Sequence, residues 1–192
     1  KGLTDYFPKN IKRFYDLFSG GLSVTLNTKA EKYIINDING FLFTLYAMFK
    51  YNSSDDIISK VKHYIALYGL PKERTKRNEY KNTGKIEEYK ENYKKARDYF
   101  NKTRDTFGFY CLTFFSFSQQ FRFNKEGDYN MPFGNDCFSA LNELYIKELC
   151  DFMQNNKVAI HNKSYEHFIG ATLDKDDFVY LDPPYSITTA VY

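Results

Sequence analysis

The sequence has 192 residues, enough for one domain, or one domain carrying a subdomain, and for a sizeable core. Hydrophobic residues make up 43% and charged residues 27%, as in an ordinary soluble globular chain, and no run of about 18 apolar residues indicates a membrane helix. The net charge is only +3, but residues 60–104 carry 14 Lys/Arg against 6 Asp/Glu while the rest of the chain is net acidic. That basic stretch suits a polyanionic partner, the bland reading being a solvated helical surface.

The predicted elements begin with a strand over Arg13–Phe18, broken by Ser19-Gly20-Gly21, after which Leu22 to Asn27 can open a helix. A second strand covers Tyr33–Asn36 and ends on Asp37, and Gly40–Lys50 is apolar at helical spacing. Strand, helix, strand, helix is a βαβ-type start and predicts a parallel sheet. From about Asp55 to Asn101 the pattern is helical and polar. One helix runs over Ile57–Leu67, and a second places Ile86, Tyr89, Tyr93, Ala96 and Phe100 on one face. A third helix is predicted over Thr106–Phe115, then a β-hairpin from Phe121 to Met131 around the Asn124-Lys125-Glu126-Gly127 turn, then a helix over Ser139–Met153. Strands resume at Val158–Ile160 and Phe178–Leu181. The fold class is therefore α/β, with a mostly helical subdomain inserted into a sheet.

Cys111, Cys137 and Cys150 have no metal-type spacing and read as reduced thiols. Lys1-Gly2-Leu3-Thr4-Asp5 has no basic-then-apolar leader pattern. A cytoplasmic protein and no metal are the expectations. The 18 Tyr and 19 Phe beside no Trp fit an AT-rich coding sequence and define no function by themselves.

Two places carry chemistry. A glycine-bearing turn between a strand and a helix, here Phe18-Ser19-Gly20-Gly21, lets backbone approach a ligand at the carboxyl edge of a doubly wound sheet. Asp37, 17 positions past Gly20, either accepts both ribose hydroxyls of a nucleotide-like ligand or caps the next helix with Asn39. The second place is Asp182-Pro183-Pro184-Tyr185. Consecutive prolines stop the strand and fix the chain direction, so the Asp182 carboxylate and Pro183 carbonyl can face one planar amine with an aromatic ring just beyond.

Asp16-Leu17-Phe18-Ser19-Gly20-Gly21-Leu22-Ser23-Val24, Asn36-Asp37-Ile38, Asn101-Lys102-Thr103-Arg104-Asp105, Pro132-Phe133-Gly134 and Asp177 to Tyr185, in this order, resemble the Dam-type (α-group, D12 class) DNA adenine-N6 methyltransferases, above all those of T-even-like phages. The resemblance implies a Rossmann-like S-adenosylmethionine-dependent sheet, residues 1–52 with 156–192, and a target-recognition domain, residues 53–155. It also implies a sequence incomplete at both ends relative to the family. Phe18, Ser19, Gly20 and Gly21 would form the cofactor loop, Asp37 would hold the ribose, and Phe168 would meet the cofactor adenine. Asp182 and Pro183, with Pro184 and Tyr185, would clamp the N6 amine of a flipped adenine for direct attack on the methyl group.

For the DNA, the resemblance implies that Arg122 reads a guanine, that Lys102 and Arg104 touch phosphates, and that Phe117 and Ser118 act at the target step, Phe117 being equally a core candidate. Asn124 and Pro132 complete the implied DNA-binding set. A monomer, and a cognate restriction endonuclease as a possible partner, are further implications, as is a bacterial or phage-infected host cytoplasm. Four departures from the family stand out: Leu22 in place of the second loop glycine, Gln119-Gln120, Asp136 where readers of GATC carry Arg or Tyr, and the missing flanking motifs. The alternative is a non-catalytic DNA-binding fragment. Cytosine-N4 methylation usually places Ser at the position of Asp182, and protein-glutamine or RNA adenine methylation usually has Asn there.

Overall fold

The computed structural model describes residues 2–73, 85–120, 122–134, 136–170 and 172–183. These fall into two compact units, residues 2–52 with 148–183 and residues 53–147.

The first unit is built on a sheet of four parallel strands, β1 (Arg13–Asp16), β2 (Lys32–Asn36), β3 (Val158–His161) and β4 (Asp177–Tyr180), in the order β3-β2-β1-β4. This is the middle of the doubly wound order, and the direction of winding reverses between β1 and β4. The short runs Phe14-Tyr15 and Tyr33-Ile34-Ile35 are buried throughout, because a parallel strand is covered on both faces. On one face Phe14 and Phe178 stack at 6.0 Å, Phe7 lies 4.7 Å from Phe178, and Phe152 meets Tyr33 edge-on at 4.9 Å. On the other, Tyr15, Leu17 and Ile34 pack with Phe18, Phe168 and Val179. At the amino end of the sheet the Arg13 guanidinium fastens β1 to β4 through the Asp177 carboxylate, with Nε at 2.8 Å.

Helix α1 (Ser23–Leu26) is a single turn and α2 (Gly40–Tyr51) a full helix whose start is capped by the Asn39 side chain, which accepts the Phe41 N–H at 2.9 Å. The shortness of α1 has a local cause. Asn27 donates to the Ser23 carbonyl and Thr28 to the Val24 carbonyl, so the side chains take the carbonyls that a further turn would use.

The second unit contains α3 (Ser54–Tyr68), α4 (Lys85–Thr103) and α5 (Thr106–Phe115). Helix α3 opens on a Ser53 cap and closes on Gly69 at φ +62°, the left-handed stop that glycine permits. Its core is aromatic: Phe100 stacks on Phe109 at 5.3 Å, Phe109 meets Tyr129 edge-on at 5.7 Å, and Tyr93 lies 5.6 Å from Phe133. Helix α6 (Ala140–Asn155) follows. All three cysteines are buried.

Among the described residues the hairpin predicted over Phe121–Met131 shows one bridge, Phe123 opposite Tyr129, around a turn with Gly127 at φ +78°; Phe121 lies outside the described residues. The Asn130 N–H on the Arg122 carbonyl at 3.0 Å and the Asn124 N–H on the Asp128 carbonyl at 2.8 Å close it. The outward-facing backbone groups of Tyr129 are taken by the neighbouring helix. Asn101 on α4 accepts the Tyr129 N–H at 2.8 Å and donates to the Tyr129 carbonyl at 3.1 Å, while Phe123 and Tyr129 both turn into the core against Phe109. A second bridge, Ser116 opposite Phe133, was not signalled by the sequence. It depends on Gly134, where a Cβ would sit 2.7 Å from the Ser116 carbonyl oxygen, closer than side chains come to backbone.

Candidate functional site

The carboxyl ends of β1, β2 and β4 bring three acidic residues to one edge of the sheet: Asp16 closes β1, Asp37 follows β2, and Asp182 follows β4. In a doubly wound sheet this edge, at the winding reversal, is where ligands bind.

The loop after β1 is held from below. Ser19 donates its hydroxyl to the Asp16 carbonyl at 2.7 Å and accepts the Asn36 N–H at 3.1 Å. The Asn36 side chain donates to the Leu17 and Lys163 carbonyls and accepts the Lys163 N–H, stapling the ends of β1, β2 and β3 together. Gly20 has φ +46° and Leu22 φ +63°, both in the left-handed region. For Leu that conformation costs roughly 1–2 kcal/mol, which burial of the side chain, 2% exposed, offsets. So the loop keeps its shape with a leucine where a glycine is usual. A Cβ on Gly21 would meet nothing within 4 Å, leaving open space over the backbone for a ligand.

Asp37 is tied to this loop and leaves the capping of α2 to Asn39. Its Oδ2 accepts the Gly20 N–H at 3.0 Å and its Oδ1 the Asn39 N–H at 2.9 Å. A carboxylate has about four acceptor positions, so two bonds leave capacity for hydroxyl donors. Phe168 ends the 3-10 turn Tyr165–Phe168 and lines an apolar pocket of about 260 Å³ with Tyr15, Leu17, Val179 and Leu181. Asp182 and Pro183 follow β4 and are exposed; Pro184 and Tyr185 lie outside the described residues.

Sequence reasoning gave Asp16 no role of its own. It is 1% exposed, its Oδ2 accepts the Thr25 hydroxyl at 2.6 Å, and its Oδ1 is without a partner among the described residues. Burial, with a smaller contribution from the charges of Asp37 and Asp182, pushes its carboxyl up to about 6 against the Thr25 and Phe18 hydrogen bonds that lower it. The available signal was an acid ending an apolar strand. A folded value above the ordinary 3.8 means that Asp16 costs nothing below about pH 4, and that the cost grows through about pH 6 and stands in full above it. Asp16→Asn is therefore expected to gain about 2–3 kcal/mol relative to the parent between pH 4 and pH 7.5. Denaturant melts across that range check it, and parallel pH curves for the two proteins would refute it.

In the second unit the residues expected at DNA are mostly exposed. Phe117 is 59% exposed, so it is not a core residue of its unit. Arg122 donates from Nε to Asn130 at 2.9 Å. Ser118 is exposed, with φ +56°. Lys102 and Pro132 are exposed, and Asn124 accepts the Asp128 N–H at 2.7 Å within the turn. Arg104 binds the Gly127 carbonyl at 2.7 Å and Asp128 at 2.5 Å, so it also braces the turn from the end of α4.

Among the described residues no helix is long and apolar enough to cross a membrane. Residues 1–192 match the family described as D12 class N6 adenine-specific DNA methyltransferase. The type II methyltransferase M.FokI of Planomicrobium okeanokoites is 37% identical over 99% of the chain, and the modification methylase StsI of Streptococcus sanguinis 33% over 97%. The DNA adenine methylase of Salmonella typhi is 28% identical over 90%. The chain spans 27% of the length of the first, 26% of the second and 56% of the third.

Proposed function

Since the chain belongs to the D12 class of N6 adenine-specific DNA methyltransferases, we propose that it carries the core of that chemistry, transfer of a methyl group from S-adenosylmethionine to the N6 amine of an adenine in duplex DNA. The observation that carries this reading is the meeting of Asp16, Asp37 and Asp182 at the sheet edge beside an open glycine loop.

The residues present fit the cofactor. A buried carboxylate with an orphan oxygen, its pKa raised by burial and then by two neighbouring acids, favours a cationic ligand, and S-adenosylmethionine carries both a sulfonium and an ammonium. Phe18, Ser19, Gly20 and Gly21 would line it, Asp37 would accept from the ribose hydroxyls, and Phe168 would contact the adenine. When bound, the cofactor supplies an activated methyl group on a good leaving group. The protein's part is then positioning. Asp182 and the Pro183 carbonyl accept the two N–H bonds of the target amine, which aims its lone pair and polarises it without requiring a strong base. Pro184 and Tyr185 complete the clamp, with Tyr185 stacking on the flipped base.

Residues 53–155 form the proposed target-recognition domain on duplex DNA, with Lys102 and Arg104 at phosphates, Phe117 and Ser118 at the target step, and Arg122, Asn124 and Pro132 beside the bases. The likeness to a type II methyltransferase and a modification methylase supports a role in a restriction-modification pair; the further parts of the proposal are a cytoplasmic location and a monomeric state.

Incubating the full-length protein with labelled S-adenosylmethionine and duplex DNA tests the proposal. Label on adenine N6 supports it. Salt-sensitive DNA binding without any label would leave only a DNA-binding module.

A further inference from the structure

Tyr46 lies on α2, 26 positions from Gly20 and outside the motifs read from the sequence. Its side chain is 2% exposed, and its hydroxyl donates to the Gly20 carbonyl at 2.6 Å. Burial, with smaller contributions from the charges of Asp37 and Asp16, holds the hydroxyl above its ordinary pKa. It therefore stays protonated, and a donor, throughout the neutral range.

What that bond controls follows from the turn it reaches. The Leu22 N–H on the Ser19 carbonyl at 2.7 Å closes a four-residue turn whose middle pair is Gly20 and Gly21. Gly20 has positive φ, +46°, and Gly21 does not, which is the II′ pattern. The I′ pattern has positive φ at both, and passing from one to the other turns over the peptide between them. A glycine pair permits either, and the closing bond of the turn is common to both. The middle peptide is therefore oriented by whatever holds it from outside. Asp37 holds the peptide before it, through the Gly20 N–H at 3.0 Å. The middle peptide itself has Tyr46 alone among the described residues.

A trans peptide is planar, with its C=O and N–H pointing opposite ways. Holding the Gly20 carbonyl against buried Tyr46 thus turns the Gly21 N–H away from it. That N–H meets no acceptor among the described residues, Gly21 is exposed, and a Cβ there would meet nothing within 4 Å.

Resting on the methyltransferase reading above, we propose that Tyr46 is a positioning residue for the cofactor: by holding the Gly20 carbonyl it aims the Gly21 N–H at the carboxylate on the amino-acid end of S-adenosylmethionine. The carboxylate is the anionic acceptor of that ligand, and hydrogen bonds to charged acceptors are the stronger ones. The donor belongs to the loop, but its direction is set by a hydroxyl on another element.

Calorimetric titration of the full-length protein with two ligands tests this. S-adenosylhomocysteine keeps the amino-acid end; methylthioadenosine shares the adenosine and the thioether but lacks that end. Tyr46→Phe, which deletes one oxygen, is expected to weaken S-adenosylhomocysteine about tenfold and to leave methylthioadenosine within about twofold. Gly21→Ala supplies a second variant. Ala disfavours the positive φ that the turned-over peptide needs, so in that background the cost of Tyr46→Phe should shrink to less than about threefold. Equal weakening of both ligands by Tyr46→Phe, the mark of a loop that has merely loosened, would overturn the proposal. So would unchanged affinity for S-adenosylhomocysteine, or the same cost in both backgrounds. A parent that binds neither ligand sinks the methyltransferase reading as well, whereas any of the other adverse results sinks only the role of Tyr46.

Discussion

Replacing Asp182 with Ala is expected to slow methyl transfer by on the order of 10²–10³-fold at saturating cofactor and DNA, the usual cost of removing one preorganised polar group from a reacting centre. The reason is geometric. Asp182 follows β4, the strand that pairs with β1 in register from Arg13 opposite Asp177 to Asp16 opposite Tyr180, and the Leu17 N–H on the Tyr180 carbonyl carries the pairing one residue further. The carboxylate therefore leaves the sheet beside the loop that begins at Leu17. On the proposed mechanism, Ala there leaves the target amine only the Pro183 carbonyl as acceptor, and its lone pair would no longer be aimed. Asp182→Asn keeps one acceptor oxygen and should retain part of the rate. Single-turnover transfer from labelled cofactor measures both variants. An Ala variant within threefold of the parent would remove Asp182 from the chemistry.

Asp37→Ala is expected to weaken cofactor binding by on the order of 10²–10⁴-fold, since hydrogen bonds to a charged group contribute about 1.5–3 kcal/mol each and the proposed role places two ribose hydroxyls on it. The same substitution releases the Gly20 N–H, held at 3.0 Å by Asp37, so the loop loses an anchor along with the ligand. Because the ribose is remote from the reacting atoms, the loss should fall on KM for the cofactor, with kcat recovered at saturation. Titration calorimetry beside steady-state kinetics separates the two. A fall in kcat at unchanged cofactor affinity would show that Asp37 acts elsewhere.

Much of the molecule was legible in its sequence because the signals are local. Buried parallel strands need unbroken apolar runs, so Phe14-Tyr15, Tyr33-Ile34-Ile35 and Phe178-Val179 announced themselves, and helical spacing placed α2 to α6 to within a few residues. The breaker glycines marked the loop after β1, and the double proline marked the end of β4. Less legible were features in which a distant group competes for a local one. Asn101, 28 positions away, takes the outward-facing backbone groups of Tyr129, and the helix after the loop closes after one turn because Asn27 and Thr28 capture its carbonyls.

The sequence by itself determined the family, the parallel α/β fold and two of the three acids at the sheet edge, Asp37 and Asp182, since each follows from residue type and order along the chain. Tertiary structure alone decided that Asp16 is buried with one oxygen unpaired, that Asp37 grips the Gly20 backbone while Asn39 caps the helix, and that Gln119 and Asp136 meet. The physical reason is the same in each case. Burial and hydrogen bonding depend on which other segments arrive within about 3 Å, and separation along the chain carries no record of that.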